Sequence, residues 1–162
     1  MIVVEDNTGL PNANAYIDVA FLDSYASQVG YDLSGKSETD KENAIVRTTL
    51  QYIDVEYEFL GEALNADQAL QLPTSEVLIN DKIRRAVADA TIAEMKGELF
   101  ITYNPLGNIK STKDKQDVLE IEIEYHDNSS TYQASFGKTP TTDKLLKPYL
   151  ATSGGLFQRW AQ

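Results

Sequence analysis

The residues best placed to do chemistry in this sequence are carboxylates. Asp54, Glu56, Glu58 and Glu62 crowd one stretch, and Glu120, Glu122 and Glu124 alternate along another. Hard divalent cations take oxygen ligands, so the first group is a candidate cation site. Its spacing matches no EF-hand loop and lacks the glycine of the sharp turn, and a solvated helix end accounts for it as well. Paired carboxylates also hydrolyse glycosides. The second group, however, alternates with Leu119, Ile121 and Ile123, which is the pattern of a strand's outer face. The single histidine, His126, has Ser129 and Ser130 nearby, but these lie in a polar stretch without a nucleophile elbow. There is no cysteine, which removes thiolate ligands, thiol nucleophiles and disulfides. The glycines at 9, 30, 35, 61, 97 and 107 are isolated and form no phosphate-binding loop. The expectation is a chain without a catalytic centre, without a bound metal and without a cofactor.

Charge narrows the partners. The 162 residues carry a net charge of −11. Residues 1–67 hold 13 acids and 3 bases, whereas 68–162 hold 12 acids and 11 bases. Gripping nucleic acid requires clustered Lys and Arg, and single-strand binding adds aromatics interleaved with them. Lys82, Arg84, Arg85 and Lys96 are the nearest approach to a basic cluster, and local carboxylates suffice to pair them. Tyr52, Tyr57 and Tyr103 have no Lys or Arg close by in sequence. No run of about 18 apolar residues exists to span a membrane. The first residues lack the basic and apolar regions of a signal peptide, so synthesis in the cytoplasm is expected.

The elements that must position these residues are mainly helical. Residues 1–15 read as an extended arm with turn chemistry at Asn7-Thr8-Gly9. Asp18 reads as the N-cap of a helix to about Gln28, with Ala20, Phe21, Tyr25 and Val29 on its buried face and Gly30 as its stop. Thr39 or Asp40 reads as the cap of a second helix to about Glu58. It carries two apolar stripes, Val46-Leu50-Ile53-Tyr57 and Ile45-Thr49-Tyr52. Asn80 opens a third, central helix to about Leu99, rich in small residues. After Asn104-Pro105-Leu106-Gly107 the period changes from helical to two. Residues 109–115 and 119–125 then read as a β-hairpin, in which Lys110, Lys113 and Lys115 offset Glu120, Glu122 and Glu124. A mobile polar loop follows from about 128, then a short helix capped by Asp143 and ending near Leu150. A Gly-Gly joint and an apolar tip, Leu156, Phe157 and Trp160 with Arg159, complete the pattern. The expected fold is thus a small helical bundle with a projecting hairpin and extended arms at both ends. It divides into arm and bundle (1–104), hairpin (105–127) and loop, helix and docking arm (128–162).

Three stretches carry a family resemblance. Val4-Glu5-Asp6-Asn7-Thr8-Gly9-Leu10-Pro11-Asn12-Ala13-Asn14-Ala15-Tyr16 resembles the opening of the tailed-bacteriophage head–tail connector (adaptor, head-completion) proteins. Lys41 to Thr49 with Tyr52-Ile53-Asp54 resembles their second helix, and Gln68-Ala69-Leu70-Gln71-Leu72-Pro73 resembles a Gln-Ala-Leu-x-Trp-Pro segment. Leu72 stands where that segment usually has Trp, and Thr74 where Arg is frequent. The hairpin and the Leu-Leu-x-Pro-Tyr-Leu segment near Leu145 fit as well. Such proteins often carry the label DnaT-like single-stranded DNA-binding protein. The resemblance implies a virion neck protein that forms a dodecameric ring on the portal, contacts a tail or second neck protein, and lets DNA pass as non-specific cargo. It also implies that the C-terminal segment docks on the portal. On this reading Asp54, Glu56, Glu58 and Glu62 form an acidic lumen, and the hairpin serves assembly. The label carries the alternative, binding of single-stranded DNA.

Overall fold

The computed structural model describes residues 1–100, 109–113, 122–125 and 139–151. The chain divides into two compact units, one of residues 1–99 with 138–162 and one of residues 100–137.

The first unit is helical. Helix α1 (Val19–Gln28) starts where Asp18 accepts the Phe21 N–H, and α2 (Glu38–Thr48) where Ser37 accepts the Asp40 N–H. Helix α3 (Asp81–Met95) starts where Asn80 accepts the N–H groups of Lys82 and Ile83. Each cap satisfies amide donors that the first helical turn leaves without partners. Both α1 and α3 end in the same motif. Gly30 and Gly97 adopt φ of 75°. The residues after them, Tyr31 and Glu98, bond back to Ala26 and Ala93, which closes the helix by the Schellman pattern. The sequence pattern ran α3 to Leu99; Gly97 stops it at Met95.

Helix α2 is not uniform. A π-helical turn, Thr49–Ile53, succeeds it, and a last α turn, Asp54–Glu56, completes the rod. A π turn inserts one residue and rotates the remainder of the helix about its axis. The stripe Ile45-Thr49-Tyr52 is accordingly buried together with Ile53, whereas Leu50 of the other expected stripe is 43% exposed. Helix α1 also differs from expectation: its buried face is Leu22 and Ala26, and Val29 is exposed.

Helix α3 is the centre of the unit and packs against α1, α2 and α4 (Pro140–Leu146). Ile83, Ala86, Val87, Ala88, Ala90, Thr91 and Ile92 are all buried on it. Small side chains at 86, 88 and 90 let neighbouring helices approach from several sides. Pro140 opens α4 with its fixed φ and its missing amide donor at the start of the helix. Asp143, expected as the cap, instead sits inside the first turn. A 3-10 turn, Lys147–Tyr149, comes next, and residues 149–151 then run antiparallel to 58–60. Leu60 N–H donates to Tyr149 O, and Ala151 N–H to Glu58 O.

The N-terminal segment is not an extended arm. Ala13, Ala15, Tyr16 and Ile17 are core residues, and Glu5 is 1% exposed. The Glu5 carboxylate accepts the N–H groups of Thr8, Gly9 and Leu10. Three donated hydrogen bonds offset the cost of burying a charge. Asn7 exchanges two hydrogen bonds with the backbone of Ile79. The segment is a folded loop seated on residues 65–79.

In the second unit, β1 (Ile109–Lys113) pairs antiparallel with β2 (Glu122–Tyr125), Lys113 opposite Glu122 and Ser111 opposite Glu124. The register breaks between Ile109 and Ser111, where Lys110 is the extra residue. Residues 114–121, which would close the expected hairpin, lie outside the described residues, as do the loop from 128 and the expected C-terminal arm.

Candidate functional site

The three stretches that carry the family resemblance meet in space. Tyr16, fully buried, donates its hydroxyl hydrogen to Asp54 Oδ1 at 2.5 Å, and its oxygen accepts the Leu72 N–H at 3.1 Å. Gln71 N–H reaches Asp54 Oδ2, and the Gln71 side-chain amide donates to the carbonyls of Asp54 and Tyr57. Gln68 donates its side-chain amide to the carbonyls of Leu70, Gln71 and Pro73, and the Leu72–Pro73 peptide is cis. Asn65 closes the arrangement from the other side by donating to the carbonyls of Thr8 and Gly9. A Cβ on Gly9 would lie 2.6 Å from that amide nitrogen, so the loop passes there because the residue has no side chain. The result is a polar joint that locks the N-terminal loop, the end of α2 and the 65–79 segment together. Burial pushes the Tyr16 hydroxyl well above its ordinary pKa, with Asp54 adding to the effect. Burial also raises the Asp54 carboxyl.

A second joint fastens α4. The hydroxyl of Tyr52 lies 2.5 Å from Thr139 Oγ1 and 3.0 Å from the Tyr57 hydroxyl, and Tyr57 donates to Asp143 Oδ1 at 2.6 Å. The two rings meet edge to face. Burial raises both tyrosine hydroxyls. Glu56 is raised by burial and by the neighbouring Asp143. Thr142 adds a hydrogen bond to the Ala86 carbonyl of α3.

The expected acidic group is thereby spread out. Asp54 is committed to Tyr16 and Gln71, and Glu56 faces Asp143. Glu58 and Glu62 are exposed, and their backbone groups bond Ala151 and Ser75. No cluster of three or more metal-ligating side chains occurs among the described residues. Four of the cations are engaged: Lys41 with Asp23, Arg47 with Glu94, Arg85 with Asp81, and Lys96 over the Tyr31 ring. Arg47 and Glu94 line an open depression of about 660 Å³ between α2 and α3, with Lys36, Asp40 and Asn43 on its rim. Arg47 and Glu94 pair with each other there. No helix among the described residues is long and apolar enough to cross a membrane.

His126, Ser129, Ser130, Lys115 and Glu120 lie outside the described residues, as do Leu156, Phe157, Arg159 and Trp160. Lys110, Lys113, Glu122 and Glu124 are placed by backbone register alone. Sequence reasoning did not single out Glu5, Tyr16, Gln68 or Gln71. The usable signal was their place inside the resemblance segments, where a polar side chain beside turn residues points to backbone capping.

These joints define a helical scaffold in which polar side chains hold loops in place. The chain belongs to the family described as "Putative DnaT-like ssDNA binding protein", which matches residues 1–162. That description names the alternative drawn from the sequence and not the neck adaptor. No curated protein matches the chain, and no solved structure matches it.

Proposed function

We propose that this chain is a structural subunit that assembles around DNA, in the manner of a phage neck adaptor between portal and tail, and does not grip the DNA that passes. The observation that carries the reading is electrostatic. The chain is strongly acidic, Lys41, Arg47 and Arg85 are in ion pairs and Lys96 lies over a ring, and the aromatic side chains among the described residues are buried or half-buried. A ring lumen of negative sign repels phosphate and lets DNA slide; Glu58 and Glu62 are exposed and available for such a surface. Lys110, Lys113, Glu122 and Glu124 with Lys115 and Glu120 supply the contacts between subunits. Leu156, Phe157, Arg159 and Trp160 supply the contact with the portal. No catalytic step, metal or cofactor enters this role.

The test is negative-stain imaging of the protein alone and mixed with portal rings. The reading expects rings stacked on the portal, and none after deletion of 110–124 although the deleted chain still folds. Portal rings left bare by the intact chain overturn it.

The whole-chain family match favours a second reading, binding of single-stranded DNA as the family's description states. That activity requires a basic, aromatic-lined groove. Lys82 and Arg84 near the start of α3 and Lys144 and Lys147 on the α4 segment are the cations from which it would be built.

A further inference from the structure

Residues 2–5 form a short extended segment that is paired on one side only. Val4 bridges Ala15 in parallel. Val3 O accepts the Asn14 N–H and the Glu5 N–H donates to Ala15 O, both at 2.9 Å, and the Val3 N–H donates to Asn14 Oδ1 at 2.7 Å. All three bonds belong to Val3 and Glu5. In an extended chain the backbone groups of alternate residues point to the same side, so those of Ile2 and Val4 point away from Ala15. Among the described residues no group bonds the N–H or the C=O of Ile2 or Val4. Ile2, Val3 and Val4 are each half-buried, so this edge reaches the surface. It has neither the proline nor the lysine that commonly guard an open edge against pairing. A strand laid about 4.8 Å away bonds both Ile2 and Val4.

The surroundings set the chemistry of what pairs there. Residues 1–67 hold 13 acids and 3 bases. Two of those bases, Lys41 and Arg47, are held by Asp23 and Glu94. Asp6, two residues past Val4, is exposed. At the other end of the edge Glu42 pairs with the Met1 amino group at 3.7 Å. In strand addition the backbone supplies affinity to any extended segment, and the side chains and the surrounding field select among segments. A second copy of this chain brings the same acidic half against the edge and is repelled. A segment carrying Lys or Arg is attracted.

We propose that the Ile2–Val4 edge is a docking site for an extended, basic segment of a partner protein, which adds to residues 2–4 as a further strand. Hydrogen bonds to Ile2 and Val4 hold the segment, and its Lys or Arg side chains meet Asp6 and the acidic surface around it. The site uses none of the residues assigned above to subunit or portal contacts, so it stands apart from that role.

The probe is a fluorescein-labelled peptide, Arg-Thr-Val-Thr-Val-Thr-Arg, titrated with the full chain at low salt and followed by anisotropy. Saturable binding is expected. Val4→Pro removes an outward N–H and should weaken it about tenfold, as for one lost backbone hydrogen bond. Asp6→Lys should weaken it severalfold, and the counterpart peptide with Glu for Arg should not bind. N-methylation of alternate peptide amides should abolish binding in one phase and spare it in the other, because only one side of an added strand faces the edge. Absence of saturable binding by the basic peptide overturns the proposal. So does binding that both methylated peptides retain, which reports adsorption to acidic surface, and so does equal binding of the Glu peptide. Sedimentation of the full chain alone tests the other occupant: self-association that Val4→Pro abolishes assigns the edge to a second copy and overturns the proposal too. Where Val4→Pro lowers the unfolding midpoint, Asp6→Lys and the two methylated peptides decide the outcome.

Discussion

At the scale of single residues, several polar side chains among the described residues bond backbone groups of the loops beside them. Glu5 is the clearest case: a buried carboxylate that accepts three successive loop amides. Glu5→Gln puts an amide with its own donors where only acceptors fit. It should lower stability by about 1–3 kcal/mol in chemical denaturation, whereas Asp6→Asn, at an exposed position, should change little. Asp54 makes a second case with a pH signature. Its carboxyl is raised by burial, so the folded state binds its proton more tightly than the unfolded state does. That contribution to stability is complete below the ordinary carboxyl value of about 4 and is lost as pH rises through the raised folded value. Glu56 and Asp89, raised chiefly by burial, act in the same direction. Denaturation midpoints across mildly acidic pH should fall as pH rises, and Asp54→Asn should flatten that fall. An unchanged slope would mean that Asp54 does not titrate in this window. Such roles were only partly legible beforehand. The turn around Asn7-Thr8-Gly9 reads directly from residue types, but nothing local says that Glu5 is buried under it. Equally, four acids between 54 and 62 look like one surface, whereas Asp54 is drawn inward by Tyr16, which lies 38 positions earlier.

At the scale of elements, caps and stops were readable because they are local. Asp18, Asn80 and Gly30 do what their chemistry suggests. The phase of α2 was not readable, because a periodicity argument assumes an uninterrupted α-helix and the π turn adds a residue. The turn explains why Leu50 faces outward while Tyr52 and Ile53 are buried. It also yields a prediction. A one-residue insertion held in a π turn can be removed, so deleting Leu50 should restore a continuous α-helix and leave the phases of Ile45 and Ile53 intact. Thermal and chemical unfolding should stay within about 1 kcal/mol of the parent, as for changes at exposed sites. Collapse of the fold would show that the π turn itself is needed to place Asp54 and Tyr57. The start of α4 was misplaced for a related reason. Asp143 resembles a cap in sequence, but Pro140 starts the helix three residues earlier, and Asp143 is left to bond Tyr57.

At the scale of the whole molecule, family membership and charge pull toward different roles. The family description speaks of single-stranded DNA. A net charge of −11, with Lys41, Arg47 and Arg85 held by carboxylates, speaks for a surface that phosphate avoids. Binding driven by phosphate contacts weakens steeply with salt, because each contact releases condensed counterions. The measurement that separates the two is a titration of labelled single-stranded oligonucleotide with the full chain, monitored by fluorescence anisotropy at low and at moderate salt. The structural-subunit account predicts no saturable rise at either salt concentration, with or without added portal. Saturable binding at low salt that declines steeply as salt is raised, and that is lost when Lys82, Arg84, Lys144 and Lys147 are replaced by Gln, would contradict it and make single-stranded DNA the ligand.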